Sequence, residues 1–75
     1  MKWVEVISRN VAAIGYDHLK HELGVRFRES GKTYIYLDVP VDEYAAFMTA
    51  ESKVSYLNQV FKSKSYSYRR ENQQT

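Results

Sequence analysis

Seventy-five residues suffice for one small domain and leave no room for a second. Cysteine is absent, which excludes disulfides, thiolate metal sites and cysteine nucleophiles, and fits a reducing compartment with the cytosol as default. The net charge of +2 by itself calls for no polyanion partner, an acid at Glu5 argues against a secretory leader, and no apolar run approaches the roughly 20 residues of a bilayer span.

In chain order, Trp3 to Ile7 alternates loosely and reads as an extended segment or short extra strand. Val11-Ala12-Ala13-Ile14-Gly15-Tyr16 is an apolar run too short for an independent helix, so a strand is expected over about Val11 to Asp17. Asp17 to Glu22 is polar and reads as a connecting loop. Leu23-Gly24-Val25-Arg26-Phe27-Arg28 alternates cleanly, with Leu23, Val25 and Phe27 on one face and Arg26 and Arg28 on the other. Glu29-Ser30-Gly31-Lys32 is a hairpin turn, with Gly31 free to take positive φ. Tyr34-Ile35-Tyr36 supplies the β-branched and aromatic residues of the next strand.

The register of this hairpin decides where its tyrosines point. A four-residue loop, or two residues with Glu29 opposite Lys32, sets Phe27 against Tyr34 and Val25 against Tyr36, with both tyrosines on the core side. A three-residue loop with a glycine bulge turns Ile35, Leu37 and Val39 inward instead, and the apolar pattern of this strand slightly favours that choice. The residues alone leave both open.

After Pro40, placed for the first position of a helix, the period changes. Tyr44, Phe47 and Met48 fall at helical spacing, Asp42 and Glu43 occupy the first turn where carboxylates suit the helix dipole, and the helix ends near Ala50. Ser52 is the N-cap of a second helix with Tyr56, Leu57, Val60 and Phe61 on its apolar face. The expected fold is therefore α+β: a three-stranded antiparallel β-meander followed by two short α-helices packed on one face (βββαα), with an extra strand-like N- or C-terminal arm. Residues 1–70 form the single domain and 71–75 a disordered C-terminal tail.

Catalytic chemistry finds little support. His18 and His21, beside Asp17 and Glu22, lie in a loop without a second ligand pair at metal-binding spacing, and the three scattered glycines form no phosphate cradle. No catalytic residue, metal site, cofactor, small-molecule substrate or membrane contact is expected. Tyr16, Tyr34, Tyr36, Tyr44 and Tyr56 are expected to pack the core with their hydroxyls near water. The charge is uneven: residues 1–50 carry six basic and seven acidic side chains, 51–75 carry five and two, and Ser52 to Arg70 contains no acid. Tyr66 and Tyr68, followed by Arg69 and Arg70, set ring faces for base stacking beside cations for phosphate. The expected function is a non-catalytic, RNA-binding module of the cytoplasm. Its candidate surface is Lys53, Lys62, Lys64, Tyr66, Tyr68, Arg69 and Arg70, with Arg26, Arg28 and Lys32 as a second patch. The alternative is a protein-interaction module using a sheet edge or a homo-oligomer contact.

Taken together, Ser8, Val11, Ile14-Gly15-Tyr16-Asp17, Leu23-x-Val25-x-Phe27, Gly31, Tyr34-x-Tyr36, Val39-Pro40, Tyr44, Ala50-x-Ser52 and Leu57-Asn58 resemble the KTSC domain over roughly Ile7 to Tyr68. That short module is named for the C-terminus of some lysyl-tRNA synthetases and also occurs as free-standing bacterial and phage proteins. The resemblance implies RNA binding only through the synthetase context. In that family the residue between the two tyrosines is often polar, which implies tyrosines facing the core and hence the first register. Here the residue is Ile35, an apolar side chain on the outer face. Lys53 stands where a glycine commonly follows the serine of the second helix.

Overall fold

The run Val11-Ala12-Ala13-Ile14-Gly15-Tyr16-Asp17 forms the longest strand, and the sheet is built outward from it. The computed structural model describes residues 1–71. Its strands are β1 (Lys2–Glu5), β2 (Val11–Asp17), β3 (Glu22–Phe27), β4 (Thr33–Tyr36) and β5 (Tyr68–Glu71). They lie in that order, each antiparallel to its neighbour. The sheet thus has five strands, which corrects the expected three-stranded meander. Both outer strands are four residues long and mostly exposed, so neither carries the clean alternation that identifies a strand in sequence. Pairing across the sheet recruits them: Trp3 lies opposite Gly15, and Tyr68 opposite Tyr36. Of the tail expected at 71–75, Glu71 closes β5 and residues 72–75 lie outside the described residues.

The β3–β4 hairpin adopts neither expected pairing. Val25 faces Tyr34 and Leu23 faces Tyr36, two residues away from the first register. The loop is Arg28 to Gly31: Phe27 N–H donates to Lys32 O (2.9 Å), Gly31 N–H to Phe27 O (3.0 Å), and Gly31 takes φ +71°. Because side chains alternate with a period of two, a two-residue shift preserves the faces. Tyr34 and Tyr36 therefore share the face of Leu23 and Val25, and Ile35 lies on the other, where it is nonetheless buried.

That outer face closes on itself. Gly15 and Gly24 sit side by side in the sheet, and a Cβ on Gly24 would fall 2.5 Å from Cη2 of Trp3, one on Gly15 2.9 Å from its Cδ2. The two glycines form a floor for the indole, and the Arg26 guanidinium lies over the ring at 4.6 Å, a cation–π contact.

The opposite face carries the helices. Pro40 occupies the N-cap of α1 (Val41–Thr49), one residue before its expected place, and α1 ends at Ala50. Ser52 caps α2 (Lys53–Tyr56), its Oγ accepting from Ser55 N–H at 3.2 Å. The expected second α-helix is only this one turn: the chain continues directly into a π-helical turn, Leu57–Phe61. Lys53 Nζ reaches back to Ala50 O (2.6 Å) and Met48 O (3.1 Å), where a cation offsets the negative end of α1. Val11, Ile14, Tyr16, Leu23 and Val25 of the sheet meet Val39, Phe47, Leu57 and Phe61 in one core. Among the described residues no helix is long and apolar enough to cross a membrane.

Candidate nucleic-acid interface

The ten candidate residues do not form one surface. Successive residues of β5 point to opposite faces of the sheet, so its two arginines part company. Arg69 joins the outer face, where its guanidinium forms two hydrogen bonds to Glu22 (3.2 and 3.3 Å) and lies 3.5 Å from Glu71. Arg26 is held on the same face by Trp3 and by Thr33 Oγ1 (3.4 Å). Arg28 donates to the backbone carbonyls of Ser8, Val6 and Val11, each at 3.2 Å. Lys53 caps α1, and Lys64 and Tyr66 bind Glu43. Lys32, Lys62, Tyr68 and Arg70 remain free of such structural ties among the described residues.

Three of these four lie at or beside one furrow. Between the π-turn and β4–β5 lies an aromatic hollow of about 610 Å³, lined by Tyr34, Tyr36, Phe61, Tyr66 and Tyr68 with Asn58 and Lys62. Tyr68 is 58% exposed and stacks on Tyr34 with centroids 5.3 Å apart and planes 18° from parallel. Tyr36 sits beside both, 5.4 Å from Tyr68 and edge-on to Phe61 at 5.1 Å. Burial, with Tyr68 and Tyr34 adding to it, pushes the Tyr36 phenol up, so it stays protonated. Arg70 pairs with Tyr34 across β4–β5 and so projects on this same side.

The furrow has extensions. A second hollow, about 430 Å³, shares Tyr34 and is lined by Phe27 and Lys32, and a third, about 770 Å³, shares Asn10 and Val54 with that one and adds Arg9, Arg28 and Lys53. Against the basic residues Arg9, Arg28, Lys32, Lys53 and Lys62, these walls carry only Glu29 and Glu51 as acids.

Next to this open surface lies a closed one. Glu43, 6% exposed in the first turn of α1, accepts from Tyr56 OH on Oε2 and from Lys64 Nζ (2.7 Å) and Tyr66 OH (3.0 Å) on Oε1. Burial alone would raise its pKa; the hydrogen bonds from Lys64, Tyr56 and Tyr66, with the lysine's charge, outweigh it and hold the carboxyl below its ordinary value. Its partners move the other way. Tyr56 is pushed up to about 12, chiefly by its bond to Glu43, and Tyr66 to about 12, by burial first and Glu43 second. The cluster fastens the segment after the π-turn, and β5 beyond it, to α1. His18 and His21 are both exposed in the β2–β3 turn, where Asp17 Oδ1 accepts from the N–H groups of Leu19 (2.9 Å) and Lys20 (3.1 Å).

Sequence reasoning missed Tyr34, Tyr36, Asn58 and Phe61 as furrow residues, and Glu43 as the anchor behind it. Asn58 and Lys62, four residues apart, share a face as in any helix, but no residue pattern marks in advance the π-turn that bounds the furrow. The pairing of Tyr36 with Tyr68 needs β5, whose four residues lack a strand signature.

The architecture defines a small α+β domain: a five-stranded antiparallel sheet with its helices on one face and an aromatic furrow where they meet. The KTSC domain family matches residues 7–73, and the chain belongs to that family. It is 39% identical over 68 residues to an uncharacterised protein of Stutzerimonas stutzeri (strain A1501), covering 91% of this chain and 94% of that one. It also resembles the crystal structure of a KTSC domain protein from Yersinia pestis, with a TM-score of 0.84 and 37% identity over 95% of this chain and 97% of that one.

Proposed function

We propose that this domain is a non-catalytic cytoplasmic module that binds single-stranded RNA in the aromatic furrow. The observation that carries the reading is the stack of exposed Tyr68 on half-buried Tyr34, flanked by Lys62 and Arg70, neither of which pairs with an acid among the described residues. A base laid on the free face of Tyr68 gains about 1–3 kcal/mol, while the cations meet the phosphates on either side. Lys32 extends this path beyond Tyr34. A single strand suits such a furrow better than a duplex, whose bases are stacked on one another and offer no ring face. The synthetase association implied by the sequence resemblance supports the same reading.

The test is a titration of short mixed-sequence RNA followed by fluorescence anisotropy between about 50 and 200 mM salt. The expected slope of log affinity against log salt is near −0.7 per neutralised phosphate, so roughly −2 if Lys62, Arg70 and Lys32 all engage. Tyr68→Ala should weaken binding at least roughly fivefold without unfolding the domain. Absence of binding at low salt overturns the reading. Self-association without RNA would favour the second reading, a partner strand paired to the open edge of β1 or β5.

A further inference from the structure

The sheet ends in two open edges, and they are unlike. β5 carries Arg69 and Arg70 side by side, charges that blunt an edge against pairing. β1 carries an exposed Val4 at its middle, with Met1 before it and Ile7 after it; these are three of the six exposed large apolar side chains among the described residues. Val6 N–H donates to Ala12 O at 3.1 Å, in step with the pairing of Val4 with Ile14 and of Lys2 with Tyr16. By the alternation of an antiparallel ladder, Trp3 and Glu5 therefore turn their N–H and C=O groups outward, away from β2.

We propose that β1 pairs antiparallel with β1 of a second copy, with the two-fold axis at Val4. The inference stands apart from the RNA-binding reading, since Tyr68 lies on the opposite edge of the sheet. Opposed side chains of an antiparallel pair share a face, so a two-fold seam sets one residue of β1 against its own copy. Centred on Lys2, the seam brings two ammonium groups together; centred on Glu5, two carboxylates. Centred on Trp3, it joins two indoles that each carry the Arg26 guanidinium 4.6 Å over the ring. Centred on Val4, it sets no like charges opposite one another. Val4 then meets Val4, Lys2 meets Val6 and, one pair further, Met1 meets Ile7, so the exposed apolar side chains of this edge cover one another. Trp3 meets Glu5, both with outward backbone groups, so the two copies exchange hydrogen bonds there. Glu5 makes no ion pair within its own chain among the described residues; across the seam its carboxylate comes beside an indole that holds a guanidinium, twice by symmetry. The seam from Met1 to Ile7 is short beside a standard interface of roughly 1,200–2,000 Å², so the dimer should dissociate in the micromolar-to-millimolar range.

Sedimentation velocity on the whole chain, without RNA, from about 10 μM to about 1 mM tests this. The mass should rise with concentration from one chain toward two and stop there, because a two-fold seam closes on itself. Val4→Lys puts two ammonium groups on the axis and should raise the dissociation constant at least roughly tenfold, in a chain whose circular dichroism melt shows it folded. The protein has no cysteine, so Val4→Cys introduces a single thiol. Mild oxidation should link it into a disulfide dimer, the axial pair being a non-hydrogen-bonded one whose side chains stand close. Lys2→Cys and Leu19→Cys, both exposed and away from the axis, should stay unlinked under the same oxidation. A strict monomer at the highest concentration overturns the inference and leaves the edge to a strand of another protein. Growth beyond two copies, a Val4→Lys chain that dimerises as before, or control cysteines that link as readily as Val4→Cys each overturn it too, by placing the contact elsewhere.

Discussion

Five of the seven tyrosines gather in two places on the helical side of the sheet, and their conditions are opposite. Around Glu43, the hydroxyls of Tyr56 and Tyr66 are spent on a buried carboxylate that also binds Lys64. In the furrow, Tyr34 and Tyr68 stack near the surface, and the hydroxyls of Tyr34, Tyr36 and Tyr68 donate to no protein group among the described residues. The same residue type is cement in one cluster and open surface in the other. What separates them is the presence of a buried acceptor, since a ring whose polar end is satisfied inside the protein has little left to offer a ligand.

The largest effect should come from removing that acceptor. Glu43→Ala leaves Tyr56 and Tyr66 without their partner and Lys64 without its counter-charge, and is expected to cost about 2–4 kcal/mol, read as a lower midpoint in urea. Tyr68→Ala should cost under about 1 kcal/mol in the same measurement, because its ring is largely exposed, and should act on RNA affinity instead. If the two variants were equally destabilised, the division between cement and surface would fail.

A pH series sharpens the contrast next. Glu43 has a lowered pKa in the folded chain, so its contribution is present above the ordinary carboxylate range and is lost as the pH falls through the depressed value. Tyr56 and Tyr66 are raised from about 10 to about 12, so their contribution is complete below pH 10 and is lost between pH 10 and 12. Thermal melts should show stability falling at both ends, and Glu43→Gln should flatten the acid limb. An acid limb unchanged in Glu43→Gln would place the acid sensitivity elsewhere.

Much of this was legible in the chain, and the gaps have physical causes. The alternation of Leu23, Val25 and Phe27, the N-cap at Ser52 and the turn at Gly31 are local signals, and each marks a feature of the fold. The outer strands are not local. Trp3 finds its place because two glycines on different strands leave room for an indole, and Tyr68 because it meets Tyr36 across the sheet. The basic run Ser52 to Arg70 counts the cations but says nothing of their allocation. Lys53 is used to cap a helix, Lys64 to neutralise Glu43 and Arg69 to pair with Glu22, and only the three-dimensional arrangement distinguishes these from Lys62 and Arg70.

The adjacent arginines give the finest test of that allocation. Arg69 and Arg70 are chemically identical neighbours, but strand alternation sends Arg69 to the outer face, against Glu22, and Arg70 to the furrow side, beside Tyr34. Arg69→Ala breaks an exposed ion pair and is expected to cost under about 1 kcal/mol, with little change in RNA affinity or in its salt slope. Arg70→Ala should leave stability within about 0.5 kcal/mol and make the salt slope shallower by about 0.7, the share of one phosphate on a single strand. Parallel salt titrations of the two variants decide the matter. Equal loss of affinity would mean that net charge, rather than the face on which each arginine stands, governs binding.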